Sequence, residues 1–383
     1  MTLTRRQFLI HAAAATTSFA SLKAIAWGKA ASEFGLKDQF KDDFYIGTAL
    51  SGRKIREAEP RYMSRIGREF NALTMENSMK WEAVRPQEGV WRWENVDRFV
   101  ALGEKLNAYR VGHVLVWHAQ TPEWVFSKPN GDLRSRKDLA GLMEAHIQTY
   151  VDRYKGRIHA WDVVNEAIDG GKAWRKSHWY NILGEGYIDR AFNCAHDADP
   201  KAHLIYNDYN MDQPHKREQL LSYIRRAKKR GVPIHGVGLQ SHVGLSFPNI
   251  DQFEQSIEAF AAEGMRIHIT ELDMDVLPVA WEHVGAEIST RFEYSKELNP
   301  YPNGLPMDVE QLMVERYVQF FKLFLKHRDK IDRVTFWGVG DGESWKNDFP
   351  VIGRTNYPLL FDRDYKKKKC YHAIAALGHT KPQ

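Results

Sequence analysis

Cysteine is scarce: two residues in a chain of 383. Cys194 and Cys370 stand in "RAFNCAHDADP" and "KKKKCYHAIAAL", which both read as helices, far apart in sequence. Two buried free thiols are expected rather than a disulfide. No Cys/His spacing of the zinc type occurs. No apolar run is long enough and clean enough to span a bilayer comfortably. No Pro/Ser-rich linker divides the chain, so one domain is expected. No glycine fingerprint follows the first strand, which counts against an open, doubly wound sheet. Acidic residues are missing from the first 30 positions, where Arg5, Arg6, Lys23 and Lys29 account for +4 of the formal +5. The remainder would carry about +1, so no polyanionic partner such as nucleic acid is implied.

That acid-free segment, "TRRQFLIHAAAATTSFASLKAIA", has a twin arginine, a modest apolar stretch and then small residues. The order Arg-Arg, Phe8-Leu9, Ala24-Ile25-Ala26 matches a twin-arginine export signal better than an amphipathic tail. Residues 1–30 are read as that signal, with Ala26 and Ala30 as candidate cleavage points. Residues 31–383 are read as one catalytic domain. A periplasmic or secreted monomer is expected, free of the membrane once the signal is removed.

What is abundant is a repeated unit. From about Phe34, short apolar β-rich runs alternate with helices whose apolar residues recur at three-and-four spacing, as in "DRFVALGEKLNAY" and "QLLSYIRRAKKRG". Eight strands are predicted: Phe44–Ala49, Ala72–Met75, Tyr109–Trp117, Ile158–Val164, His203–Tyr206, Gly236–Leu239, Arg266–Thr270 and Arg333–Trp337. Short runs apolar on both faces suit a parallel sheet. Eight successive βα units point to an α/β fold, a single (β/α)₈ TIM barrel. The long connection "DVLPVAWEHVGAEISTRFEYSKELNPYPNGLP" is expected to form an excursion at the barrel mouth. "KKKK" at Lys366–Lys369 is read as a solvated face without function.

In such a barrel the chemistry sits where the strands end. Seven ends carry polar or indole groups: "TMENSMKW", "GHVLVWHAQ", "VVNEA", "YNDYN", "GLQSH", "ITELDM" and "FWGVGDGESW". A lone glutamate at a strand end is usually a salt-bridge partner, and a lone histidine usually a core residue. Here Lys80 is the only lysine among these ends, so matching cations are scarce. Amides, imidazoles and indoles make up the rest, and these groups bind hydroxyls and sugar faces. Glu166 and Glu271 come from the fourth and seventh strands, which lie across the pore. Two carboxylates facing each other over a sugar-sized gap suggest glycoside hydrolysis.

With "MENSMKWEAVRPQEG" and "GHVLVWHAQTPEWV" added, this ordered set resembles glycoside hydrolase family 10, the endo-β-1,4-xylanases, from about Phe34 to Leu377. The resemblance implies a retaining double displacement on xylan, with no cofactor and no metal. By motif position, Glu166 corresponds to the acid/base and Glu271 to the nucleophile. His242 and Asp273 correspond to residues that hold and ionise the nucleophile, and Asn165 to the amide that bonds the sugar 2-hydroxyl. Glu76, Asn77, Lys80, His113, Trp117, Gln120, Gln240, Trp337 and Trp345 match positions that line the glycone side. Gly340 stands where the family usually carries a side chain. On physical grounds the nearby negative Glu271 should raise the Glu166 pKa, and His242 should favour an ionised Glu271.

Three rivals are separable. A β-1,4-glucanase would use the same mechanism, and relative rates on xylan and carboxymethylcellulose distinguish it. A metal-dependent hydrolase using His113, His118 and His242 would be silenced by a chelator. A non-catalytic glycan-binding barrel has no need for two opposed carboxylates. The export reading makes its own prediction: Arg5→Lys with Arg6→Lys should trap the protein in the cytoplasm, as read by cell fractionation. Normal export of that double variant would remove it.

Overall fold

The computed structural model describes residues 34–170, 173–278 and 293–378. The segment read as an export signal lies outside these residues, as do residues 279–292 of the long connection. Among the described residues nine strands occur: β1 (Tyr45–Leu50), β2 (Ala72–Met75), β3 (Tyr109–Val116), β4 (Ala160–Asn165), β5 (His203–Asp208), β6 (Gly236–Leu239), β7 (His242–Gly244), β8 (Arg266–Asp275) and β9 (Ile331–Phe336). All pairings between them are parallel, in the order β6-β5-β4-β3-β2-β1-β9-β8, and β6 pairs with β8 to close a ring of eight. This is the (β/α)₈ barrel expected. The ninth strand, β7, pairs only with the far end of β8.

Outer helices cover the ring with one apolar face each. Glu94–Lys105 buries Val96, Phe99, Val100, Leu102 and Gly103, the three-and-four spacing of a helix stripe. Arg136–Arg153 starts where the Ser135 hydroxyl accepts the Asp138 N–H at 3.1 Å, a side-chain cap for an otherwise orphaned donor. Among the described residues, no helix is long and apolar enough to cross a membrane. Cys194 and Cys370 are free thiols.

The expected strand bounds fail most at β8. It was expected to stop at Thr270, before the first acid, but runs to Asp275. The extension exists because β7 supplies a partner, with His242 opposite Asp273 and Gly244 opposite Asp275. Residues two apart share a face of a strand. Glu271, Asp273 and Asp275 therefore point one way while Leu272 and Met274 point the other.

Polar residues fill part of the barrel axis. Thr48, Thr74, His113, Asp162, Asn207, His268, Arg333 and Thr335 are all buried. His113 Nδ1 lies 3.0 Å from Asp162 Oδ2, and Arg333 donates to Thr335 Oγ1 at 3.0 Å. Gly238 makes room in this layer. It pairs with Asn207 in the ladder, and a Cβ there would stand 2.2 Å from Asn207 Oδ1 and 2.9 Å from Thr270 Cγ2. The bare backbone lets the Asn207 side chain reach past β6 to β8.

Gly340 has a similar cause. A Cβ at that position would meet the Tyr365 ring at 2.9 Å and Asp362 O at 3.0 Å. Tyr365 occupies the volume that a side chain at 340 would need. The solvated reading of Lys366–Lys369 holds for Lys366 and Lys369, which are exposed, and fails for Lys367 and Lys368. Lys368 Nζ donates to Asp341 Oδ2, Tyr357 O and Leu359 O at 2.9, 2.8 and 2.7 Å. Lys366, Lys367 and Lys369 pair with Asp364, Glu69 and Glu310. The Lys367 and Lys368 partners Glu69 and Asp341 are distant in sequence and could not be read from a charge run.

Candidate active site

One cleft of about 1180 Å³ opens at the carboxyl ends of the strands. Glu76, Asn77, Lys80, His113, Trp117, Gln120, Asn165, Glu166, Gln240, His242, Glu271, Trp337 and Trp345 all line it. Asp273 does not. It is fully buried behind His242, whose Nδ1 lies 2.8 Å from its Oδ1.

Glu166 directly follows β4 with a left-handed backbone, φ 56°, which costs a non-glycine residue roughly 1–3 kcal/mol. Its N–H donates to Asn207 O at 2.9 Å. Its carboxylate accepts from Trp117 Nε1 at 2.9 Å through Oε2 and from Gln240 Nε2 at 2.9 Å through Oε1. His118 Nδ1 is 4.0 Å from Oε2.

Glu271 on β8 accepts from Asn207 Nδ2 at 2.8 Å and faces His242 Nε2 at 3.2 Å. Asn207 Nδ2 also donates to Asn165 Oδ1 at 2.9 Å, and Thr270 Oγ1 donates to Asn207 Oδ1 at 2.7 Å. Gln240 Nε2 reaches the same Asn165 oxygen at 3.2 Å. The two carboxylates are thus joined through an unbroken chain of amides.

The acids on β8 are balanced by two cations. Trp345 Nε1 donates to Asp273 Oδ2 at 2.8 Å, and Lys346 Nζ lies 3.5 Å from Asp273 Oδ1 and bonds Asp275. Burial opposes the charge on Asp273, but His242 and Lys346 hold its pKa below the ordinary value. Burial alone would lower His242; Asp273 and then Glu271 outweigh it and raise the imidazole to about 9. On the glycone wall, Lys80 Nζ donates to Gln120 Oε1 at 2.7 Å and Asn77 Oδ1 at 2.9 Å, 4.7 Å from the Trp117 ring centre. Burial lowers the Lys80 pKa and raises that of Glu76.

Glu166 departs from expectation. Burial pushes its pKa up, but His118, the Gln240 and Trp117 donors and Arg175 pull harder, and the carboxyl is held below its ordinary value. Counting charges along the sequence could not reveal these donors. The premise of scarce cations also fails. Lys216 pairs with Asp208 at 2.6 Å, both fully buried, and Lys346 serves Asp273 and Asp275. Both lysines arrive from segments beyond the strand ends.

The three histidines proposed for a metal engage different carboxylates: His113 with Asp162, His118 with Glu166, His242 with Glu271 and Asp273. Described groups close enough to share an ion lie elsewhere, at His203, His268 and Asp332 and at Glu254, Glu258 and His327. Sequence reasoning placed Asn207 at a strand end in "YNDYN" without giving it a role, and passed over Tyr209 in the same run and Lys346, next to Trp345. Arg175 had no signal at all.

A buried acid pair, one member under neutral donors and the other beside an imidazolium, can combine proton transfer with nucleophilic attack. Comparison with known proteins gives a consistent picture. The family model described as glycosyl hydrolase family 10 matches residues 35–377. Endo-1,4-beta-xylanase A of Xylanibacter ruminicola is 44% identical over 342 residues, 89% of this chain and 93% of that protein. An endo-1,4-beta-xylanase of Geobacillus stearothermophilus is 39% identical over 88% of this chain and 97% of its own length. A solved GH10 endoxylanase retrieved from a sugarcane soil metagenome superposes with a TM-score of 0.87 at 53% identity, covering 90% of this chain and all of that one.

The His242 pair gives a pH prediction. Its folded pKa of about 9 exceeds the ordinary 6.5, so its stabilisation is complete below about pH 6.5 and is lost as pH rises through 9. The thermal midpoint should fall over that window more steeply in the wild type than in His242→Asn. Parallel slopes would show that another group governs the alkaline loss.

Proposed function

The chain belongs to glycosyl hydrolase family 10, and from that membership we propose a retaining endo-β-1,4-xylanase acting on xylan, with Glu166 as acid/base and Glu271 as nucleophile. The observation that carries this is the amide-linked pair of buried carboxylates in one cleft. The cleft exceeds the roughly 300–1,000 Å³ of a small-molecule pocket, which suits a chain of sugars. Its amides and indoles suit hydroxyls and sugar faces.

In the first step Glu271 attacks the anomeric carbon while Glu166 gives its proton to the leaving glycosidic oxygen. Asn207 and His242 aim and charge-balance Glu271 before attack. Asn165, held by Asn207 and Gln240, is placed to bond the 2-hydroxyl, a contact that strengthens towards the transition state. In the second step Glu166, now a carboxylate, removes a proton from the water that releases the sugar. The low pKa of Glu166 in the open cleft suits this base role. For the acid role it must rise. Burial is already the largest single influence on it, and a sugar chain that fills the cleft adds to the desolvation. Residues 1–30 direct export by the twin-arginine route, and the remaining chain works as a monomeric domain.

Two results are expected. Because kcat/KM follows the free enzyme and kcat the complex, the alkaline limb of kcat/KM on xylotetraose should fall at lower pH than that of kcat. Coincident limbs would mean that substrate does not raise Glu166. The second expectation separates the glutamates. Glu166→Ala should be nearly inert on xylan, by about 10²–10⁴-fold, yet still cleave an aryl xylobioside with a good leaving group, and azide should speed turnover and yield the β-azide. Glu271→Ala should lose both substrates. The reverse pattern would exchange the two roles.

A further inference from the structure

Glu166 holds its left-handed backbone, φ 56°, against the preference of a side-chain-bearing residue. Two bonds fix that peptide geometry. Its N–H is tied to Asn207 O. Its carbonyl oxygen accepts from Arg175 Nε at 2.8 Å.

The chain is folded to deliver that guanidinium. After Glu166 it forms a small hairpin in which Ile168 bridges Trp174, Arg175 N–H donates to Ala167 O at 2.8 Å and Asp169 N–H to Ala173 O at 3.1 Å. The hairpin returns Arg175 beneath the strand end it has just left. Its Nη2 donates to the Tyr209 hydroxyl at 2.9 Å. Tyr209 lines the cleft, whereas Arg175 does not. The ring is held from another side by Lys216, whose Nζ lies 3.6 Å from the ring centre and is fixed by Asp208. A planar fork with several donors can hold two acceptors at a set angle, which a flexible ammonium cannot do.

We propose that Arg175 is a positioning residue for proton donation: it clamps the strained peptide of Glu166 to the cleft-wall ring of Tyr209 and so aims the carboxyl at the leaving oxygen. This rests on reading Glu166 as the acid/base. A proton donor must lie within hydrogen-bond reach of its target, and small errors of aim are costly. Loss of the clamp should therefore matter in proportion to how much the leaving group needs the proton.

The test compares kcat/KM, which reports the reaction through bond cleavage, on xylotetraose and on dinitrophenyl β-xylobioside. Arg175→Met keeps most of the stem and removes every donor. Its kcat/KM should fall on the order of 10–100-fold on xylotetraose and less than about threefold on the dinitrophenyl substrate, which departs without a proton. Equal falls on both substrates, or no fall on either, would overturn the proposal. If Arg175→Met does not fold, Arg175→Lys is read in the same assay with the same expectation. Glu166→Ala runs beside it as the reference. Should that variant lose both substrates equally, the acid/base reading fails. Should it discriminate while the Arg175 variants do not, only the clamp fails.

Discussion

Asn207 is the joint on which the mouth of the barrel depends. Its buried side-chain amide donates to Asn165 and to Glu271 and accepts from Thr270, and its backbone carbonyl oxygen takes the Glu166 N–H. It therefore binds β4 and β8, three places apart around the ring, through β5. An unpartnered donor or acceptor in that dry layer would cost about 1–3 kcal/mol, so the arrangement tolerates little drift. Gly238 permits it, because any side chain there would meet the amide at 2.2 Å. The relative placement of the two carboxylates is thus a consequence of a missing Cβ on a strand that carries neither.

Charge is distributed as strictly as geometry. β8 presents Glu271, Asp273 and Asp275 on one face, an arrangement that would repel itself if left alone. His242 sits between the first two, and Lys346 between the second and third. The imidazolium is stable to about pH 9 because both neighbours are anions. Glu271 consequently faces a fixed cation that does not have to be recruited when the reaction begins. This is electrostatic preorganisation in its simplest form. Glu166 has no comparable ion pair at bonding distance; neutral Trp117 and Gln240 hold its oxygens, and His118 stands 4.0 Å away.

Much of this was legible in the sequence, for a physical reason. Buried parallel strands read as apolar runs, and each run ends where polar groups reach the mouth, so eight strands and most of the cleft lining followed from pattern. What escaped depends on contacts between distant segments. β8 continues to Asp275 because β7 lies beside its last three residues. Lys216 reaches Asp208 from the helix Pro214–Lys229, and Lys346 reaches Asp273 from a 3₁₀ turn some seventy residues on. Lys368 seemed one of four equivalent surface charges until its three acceptors were visible. The direction of the Glu166 shift escaped for the same cause: its neighbours in space are Trp117, His118, Gln240 and Arg175, none of them a neighbour in the "VVNEA" run.

The low pKa of Glu166 and the proposed acid role are reconciled by what changes between the open and filled cleft. Burial already opposes ionisation there, and only a small set of donors and cations outweighs it. Influences that oppose one another in this way are tipped by a change in any one of them. Filling the cleft with sugar removes water and strengthens the burial side while leaving the donors in place. Once Glu271 has bonded to the sugar, its negative charge is gone, and the β8 anion opposed to Glu166 across the cleft no longer disfavours its return to the carboxylate. The direction of proton flow in each half-reaction then follows from occupancy of the cleft, without any rearrangement of the amide framework that Asn207 holds.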